Sequence, residues 1–157
     1  MSQSILVRGS IPSDHEAITK LGSEAFGRFG DYREPLTEWL SNPGIETLVV
    51  SSNGDLQGFT MIALLEGPEG VPDGCVLAVG VRADLQRSGL GRSLLDAAVA
   101  RLSAEAVQWG VRRLVASVAS DNTPALRLFQ AAGFRDVGAS GRSYASGEVA
   151  RRLVRVV

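Results

Sequence analysis

At 157 residues the chain suits one domain, 1–157, large enough to bury about two-thirds of its unfolded surface around a single core. The 45% apolar and 21% charged residues are those of an ordinary globular protein, and no apolar run is long enough to cross a bilayer, so membrane partners are not expected. A net charge of −1 argues against a broad electrostatic grip on nucleic acid, and any anion site must be local.

The first ten residues, MSQSILVRGS, lack a basic start followed by a long apolar segment, so no signal peptide and a cytoplasmic protein are expected. ILVRGS begins as a short strand, which Pro12 punctuates. Ser13 and Glu16 fit a capping box, and Ile18, Leu21 and Ala25 share a helical face, predicting a helix from about 13 to 26. GRFGDYRE reads as a loop, and PLTEWL as a short helix opened by Pro35 and ended by Asn42, Pro43 and Gly44. ETLVVSS and LQGFTMIALL are strands joined by Asn53-Gly54, a pair suited to a tight antiparallel hairpin.

After the Gly/Pro-rich loop EGPEGVPDG, the apolar run CVLAVGV predicts a central strand. Leu90, Leu94, Leu95, Ala98, Val99, Leu102 and Ala106 recur at helical steps, predicting a long helix to about Trp109, stopped by Gly110. RRLVASVA is a further strand, DNTPALRLFQAAG a capped helix, and FRDVGA and EVARRLVRVV closing strands. This alternation predicts a mixed α/β or α+β sheet covered by helices. Cys75 is the single cysteine and His15 the single histidine, so neither an internal disulfide nor a His/Cys zinc site is expected, and Cys75 reads as a buried, inert thiol.

The segment QRSGLGRS, Gln86 to Ser93, sits between the central strand and the long helix. A helix start presents N–H groups without intrahelical acceptors and a partial positive charge, so anions settle there. Glycine allows positive φ and lets a phosphate approach the main chain. Gly89 and Gly91 would expose amides, with Arg87, Arg92 and Ser93 adding side-chain contacts. By itself a G-x-G is weak evidence. The pattern is neither a Walker loop nor a dinucleotide fingerprint, since Leu94 stands where the third glycine belongs.

AVGVRADLQRSGLGRSLL, followed further on by SDNTPALRLFQAAGF, resembles the GNAT superfamily of N-acetyltransferases. Gln86, Gly89 and Gly91 match its Q/R-x-x-G-x-G/A acetyl-CoA motif, while Asn122, Ala125, Leu128, Gly133 and Phe134 match its second motif. The resemblance implies a single-domain α/β (α+β) GNAT fold with a mixed, mainly antiparallel sheet of about seven strands and about four helices, splayed at the cofactor site. It implies that acetyl-CoA is the co-substrate, with no metal. The backbones of Val79 and Val81 would hold the pantetheine arm, and the amides of Arg87, Ser88, Gly89, Leu90, Gly91 and Arg92 the diphosphate. Asn122 would contact the arm, or serve as a helix N-cap, or both. An N–H near Val79 would face the thioester carbonyl.

Phe129 stands at the cofactor-side position where the family often has a tyrosine that protonates the departing sulfur. Tyr144 is the available substitute acid, with a plain pocket or surface tyrosine as its other reading. Carboxylates considered as base are Glu66, Glu69, Asp73 and Asp31, with Glu66 put forward. Phe29, Asp31, Tyr32 and Arg33 are equally candidates for the acceptor pocket and for an exposed loop. YASGEVARRLVRV faintly resembles protein N-terminal acetyltransferases of the ribosomal-protein type. The expectation is direct transfer in a ternary complex to a small-molecule amine or a protein N-terminus, with a non-catalytic acyl-CoA-binding regulatory domain as the alternative. A homodimer stays open.

Overall fold

The computed structural model describes residues 5–143, 147 and 149–157. Strand β1 is Arg8–Gly9, and a 3-10 turn at Pro12–Asp14 leads into helix α1, His15–Phe26. The predicted capping box at Ser13 gives way to Asp14. Its Oδ2 accepts the Ile11 N–H at 2.8 Å, and the carboxylate also takes hydrogen bonds of 2.8 and 3.1 Å from Arg8. The bond from Ile11 closes the 3-10 turn ahead of the helix, and α1 starts at His15 with no cap bond from the Asp14 side chain.

Helix α2 spans Arg33–Ser41, beginning ahead of Pro35 because the Asp31 carboxylate accepts the Arg33 N–H at 3.1 Å. Strands β2 (Ile45–Ser52) and β3 (Asp55–Glu66) form the predicted hairpin. Asn53 at φ +52° and Gly54 at φ +83° supply the left-handed pair that matches the twist of the strands. Strand β4 runs from Pro72 to Val81. Helix α3 is Leu90–Ala104; α4, Ala106–Trp109, prolongs it to Gly110 at φ +73°. Strand β5 (Arg113–Ala119), helix α5 (Thr123–Ala131) and strands β6 (Arg135–Ser143) and β7 (Val149–Val156) complete the chain.

The seven strands lie in the order β1-β2-β3-β4-β5-β7-β6. Among the described residues β4 and β5 form the one parallel pair, and the other neighbours are antiparallel. Helices cover both faces. On one, Leu95, Ala98, Val99 and Leu102 of α3 pack with Phe129 of α5 against Ile62, Val76 and Leu114. On the other, Ile18 and Leu21 of α1 and Leu36 of α2 pack against Val49, Phe59 and Met61. Leu94, Leu95, Ile18 and Leu36 are fully buried, each contributing roughly 1.5–3 kcal/mol of apolar burial. No described helix is long and apolar enough to cross a membrane.

Candidate active site

Strands β4 and β5 are joined by Gly74, Cys75 and Val76 opposite Leu114, Val115 and Ala116. Past that point β4 stays on β3 as far as Val81, while β5 stays on β7 as far as Ala119. The strands therefore part, and β4 from Leu77 onward carries peptide groups with no strand partner on that side.

A bulge at the parting point decides which groups those are. Ile62 pairs with Val76 but Met61 with Ala78, which makes Leu77 an extra residue. Its mark is in the packing: Leu77 and Ala78 both join the α1 side, whereas Val76 and Val79 join the α3 side. Arg82 N–H donates to Gln57 O at 2.9 Å in the same register. By strand alternation Gly80 and Ala78 turn their peptide groups to β3, and Val79 and Val81 turn theirs into the gap. Their side chains meanwhile pack with Leu90 and Leu94, fixing the strand against the start of α3.

The loop that follows is shaped by local bonds. Arg82 is held by Asp84 at 2.8 and 2.7 Å, and a 3-10 turn at Ala83–Leu85 brings Gln86 N–H to Ala83 O. The Ser88 hydroxyl and N–H both donate to Leu85 O. Arg87 at φ +67° and Gly89 at φ +91° then reverse the chain into α3. The first helical bond runs from Ser93 N–H to Gly89 O at 3.0 Å, so the N–H groups of Leu90, Gly91 and Arg92 have no acceptor within the helix.

Side chains complete the cradle. A Cβ on Gly89 would meet nothing within 4 Å, which leaves open space above the amides, whereas one on Gly91 would stand 3.3 Å from Leu128 of α5. Leu90 is buried and anchors the turn. Arg92 pairs with Asp96 at 2.8 Å; Arg87 is exposed and forms no ion pair among the described residues. The structure thus gathers Val79, Val81 and Gln86 through Ser93 at the end of β4.

Across the gap, Asn122 Oδ1 accepts Ala125 N–H at 3.3 Å and caps α5. Phe129 is buried with its ring edge-on to Phe134 at 5.1 Å, which places it in the core between α5 and β6. Glu66 is exposed at the far end of β3, opposite Pro72. Seven strand residues, about 23 Å, separate Pro72 from Val79, so Glu66 does not join the cradle. Tyr144 lies outside the described residues.

The other acids are also placed. Asp73 is buried and receives Arg113 Nε and Nη2 at 2.8 and 2.9 Å, which raises the Arg113 pKa and gives Asp73 a structural partner. Glu69 is exposed at φ +59°. Burial, and secondarily the Asp73 charge, push the Cys75 thiol up to about 11, keeping it protonated at neutral pH. No group of three His, Cys, Asp or Glu side chains suited to a metal occurs among the described residues.

On the α1 side of the sheet, Phe29 is buried and Tyr32 is half-buried, edge-on to Phe26 at 5.5 Å; burial raises the Tyr32 hydroxyl pKa. Asp31 and Arg33 are exposed. Sequence reasoning missed Arg28, whose two nitrogens donate to Asp121 at 3.1 Å each while its guanidinium sits 4.2 Å from the Phe29 ring centre. This tie links the segment between α1 and α2 to the turn after β5. No local pattern announces a contact between residues 93 apart.

Residues 15–134 match the Acetyltransferase (GNAT) family. The chain is 41% identical over 69 residues to a mycothiol acetyltransferase of Geodermatophilus obscurus, covering 44% of this chain and 20% of that protein's length. Its fold is similar to that of Arabidopsis thaliana NAA60 in complex with a bisubstrate analogue, with TM-score 0.81, 19% identity and 98% of each chain covered. It is also similar to the ribosomal-protein-S18-alanine N-acetyltransferase of Escherichia coli, with TM-score 0.77, 20% identity, and 98% of this chain and 94% of that one covered. At these identities the two structures speak for the fold.

Proposed function

The chain belongs to the acetyltransferase (GNAT) family, and from that premise we propose that residues 1–157 work as one domain that transfers an acetyl group from acetyl-CoA to a primary amine. The observation that carries this reading is the gap between β4 and β5, which exposes the peptide groups of Val79 and Val81 and ends at the open amides of α3.

An amide-bearing arm fits those peptide groups, and a diphosphate fits the cradle, where glycine keeps Cβ atoms away. Val79 and Val81 would hold the arm. The N–H groups from Arg87 to Arg92 would hold the diphosphate, with Gln86, Arg87, Arg92 and Ser93 adding side-chain contacts and Asn122 reaching the arm from across the gap. Acetyl-CoA supplies the acetyl group already activated as a thioester. The Val79 N–H then donates to the carbonyl oxygen as negative charge builds there. Phe129 has no hydroxyl and supports the α5 wall through Phe134. A thiolate of pKa near 8.5 needs little protonation to leave, and Tyr144 is the acid we assign if one acts.

The acceptor class follows from proton cost. Neutralising an α-amine at pH 7 costs roughly 1 kcal/mol, against roughly 4.6 for a lysine side chain. Asp73 is tied to Arg113 and Glu66 is distant, so the site favours an amine that loses its proton readily. A protein N-terminus and a small-molecule amine both qualify, attacking directly in a ternary complex. The relatives' names cover both classes, a ribosomal-protein-S18-alanine N-acetyltransferase and a mycothiol acetyltransferase. We place the protein in the cytoplasm, where a single unpaired thiol stays reduced.

Phe129 favours a second reading, a regulatory domain that binds acyl-CoA without turnover. Thermal-shift titration with acetyl-CoA, followed by a thiol-release assay across a panel of amines and N-terminal peptides, separates the two. Acetyl-CoA binding with amine-dependent release supports the enzyme; binding with no release across the panel supports the regulator. Absence of binding refutes both.

A further inference from the structure

The core under α1 and α2 draws its strand residues from β2, β3 and β4, while Leu114, Ala116 and Val118 of β5 and Leu153 of β7 belong to the core under α3 and α5. By strand alternation Arg113, Ser117 and Arg152 therefore project from the opposite face of β5 and β7, beside the gap. Asp73 shares that face, because a Cβ on the next residue, Gly74, would meet Leu114 and Leu102 on the other. The buried Asp73 carboxylate is already neutralised by the fork from Arg113. Arg152 stands 3.9 Å from the same carboxylate, with its side chain 39% exposed, and donates no hydrogen bond to a described residue. The neighbouring Cys75 thiol is uncharged at neutral pH. Two cations thus share one anion, and the surplus charge sits on Arg152 with its donors unspent.

Register sets where that charge is rooted. Val76 and Ala116 are the last pair of the β4–β5 seam, so Ser117 is level with Leu77 at the parting point, and Arg152 lies directly opposite Ser117 on β7. Two strand rises, about 7 Å, separate that level from Val79, where the thioester carbonyl is assigned. A half-exposed ion pair without a hydrogen bond holds a guanidinium weakly, so Arg152 can turn from Asp73 at little cost. A carboxylate would offer it the forked partner that Arg113 already has. At the rim, Arg28 is taken by Asp121 and does not compete for such a group.

Resting on the amine-acetylation reading, we propose that Arg152 is a specificity residue that selects acceptors carrying a carboxylate a few bonds from the amine. Thiol-release kinetics with two matched acceptor pairs test it: Ala-Glu-amide against Ala-Gln-amide, and glutamate α-amide against glutamine amide. In the wild type the acidic member of at least one pair should show a kcat/KM about tenfold higher than its neutral isostere. Arg152→Gln should bring that ratio toward unity through KM of the acidic member, and Arg152→Lys should keep an intermediate ratio. Equal wild-type values in both pairs, or a ratio that Arg152→Gln preserves, would overturn the assignment and leave acetyl transfer standing. Release with other amines but with none of these four would do the same. No release with any amine would bring down the enzyme reading and this proposal together.

Discussion

Replacing Gly89 with valine separates the strain of the turn from its use as a ligand cradle. Gly89 sits at φ +91° and ψ −3° as the N-cap of α3, a left-handed conformation that costs other residues roughly 1–2 kcal/mol. No heavy atom lies within 4 Å of the new Cβ, so no collision adds to this. For a chain of this length a loss of about 2 kcal/mol lowers Tm by about 4–8 °C, leaving a folded protein at 25 °C. The same open space is where a diphosphate would approach the amides of Leu90 to Arg92. Losing even one charge-assisted hydrogen bond of roughly 1.5–3 kcal/mol weakens binding about 10- to 150-fold. Melting curves without ligand give the first quantity, and calorimetry with acetyl-CoA well below Tm gives the second. Gly89→Asn is the companion variant: asparagine tolerates the left-handed region, so stability should fall less while affinity still falls. A Gly89→Val protein with lowered Tm and unchanged acetyl-CoA affinity would refute the cradle.

Arg113→Ala should destabilise the fold by about 3 kcal/mol, because it strips Asp73 of its bidentate partner and leaves Arg152 at 3.9 Å; denaturant melts measure the loss. Asn122→Ala removes the cap of α5 and should cost about 1 kcal/mol, with any larger loss of acetyl-CoA affinity reporting direct contact. The Arg8 hydrogen bond holds Asp14 below the usual carboxylate range, so its stabilisation is present above the unfolded value and is lost as pH falls through the folded one. Asp14→Asn should accordingly lower Tm at pH 7 and converge with the wild type as pH drops below about 3.9. Cys75, buried and with its pKa pushed up to about 11, should resist Ellman's reagent in the native protein at pH 7.5 and react fully in denaturant.

What could be read in the sequence was what depends on neighbours along the chain. Asn53-Gly54 specifies its turn through its own backbone, and the α3 stripe from Leu90 to Leu102 faces the core because helical spacing puts it there. The glycine loop was legible for the same reason. The boundary at Ser13 was missed because Pro12–Asp14 form a 3-10 turn, closed by Asp14 reaching back to Ile11, before α1 begins. The bulge at Leu77 has no signature within CVLAVGV; it exists through register with β3. Glu66 looked close to the central strand in sequence, yet the strands it joins run it to the opposite end. Arg135 and Arg155 become neighbours only when β6 and β7 are laid beside α5.

The three residue pairs holding β4 to β5 make the sheet two fabrics stitched along a short seam, one of four strands and one of three. Each fabric is sewn internally, and beyond the seam the two are held by the shared core under α3 and α5. On the reading given above, the arriving pantetheine amides supply the missing stitches. The protein then becomes most firmly knit in the moment before it gives the acetyl group away.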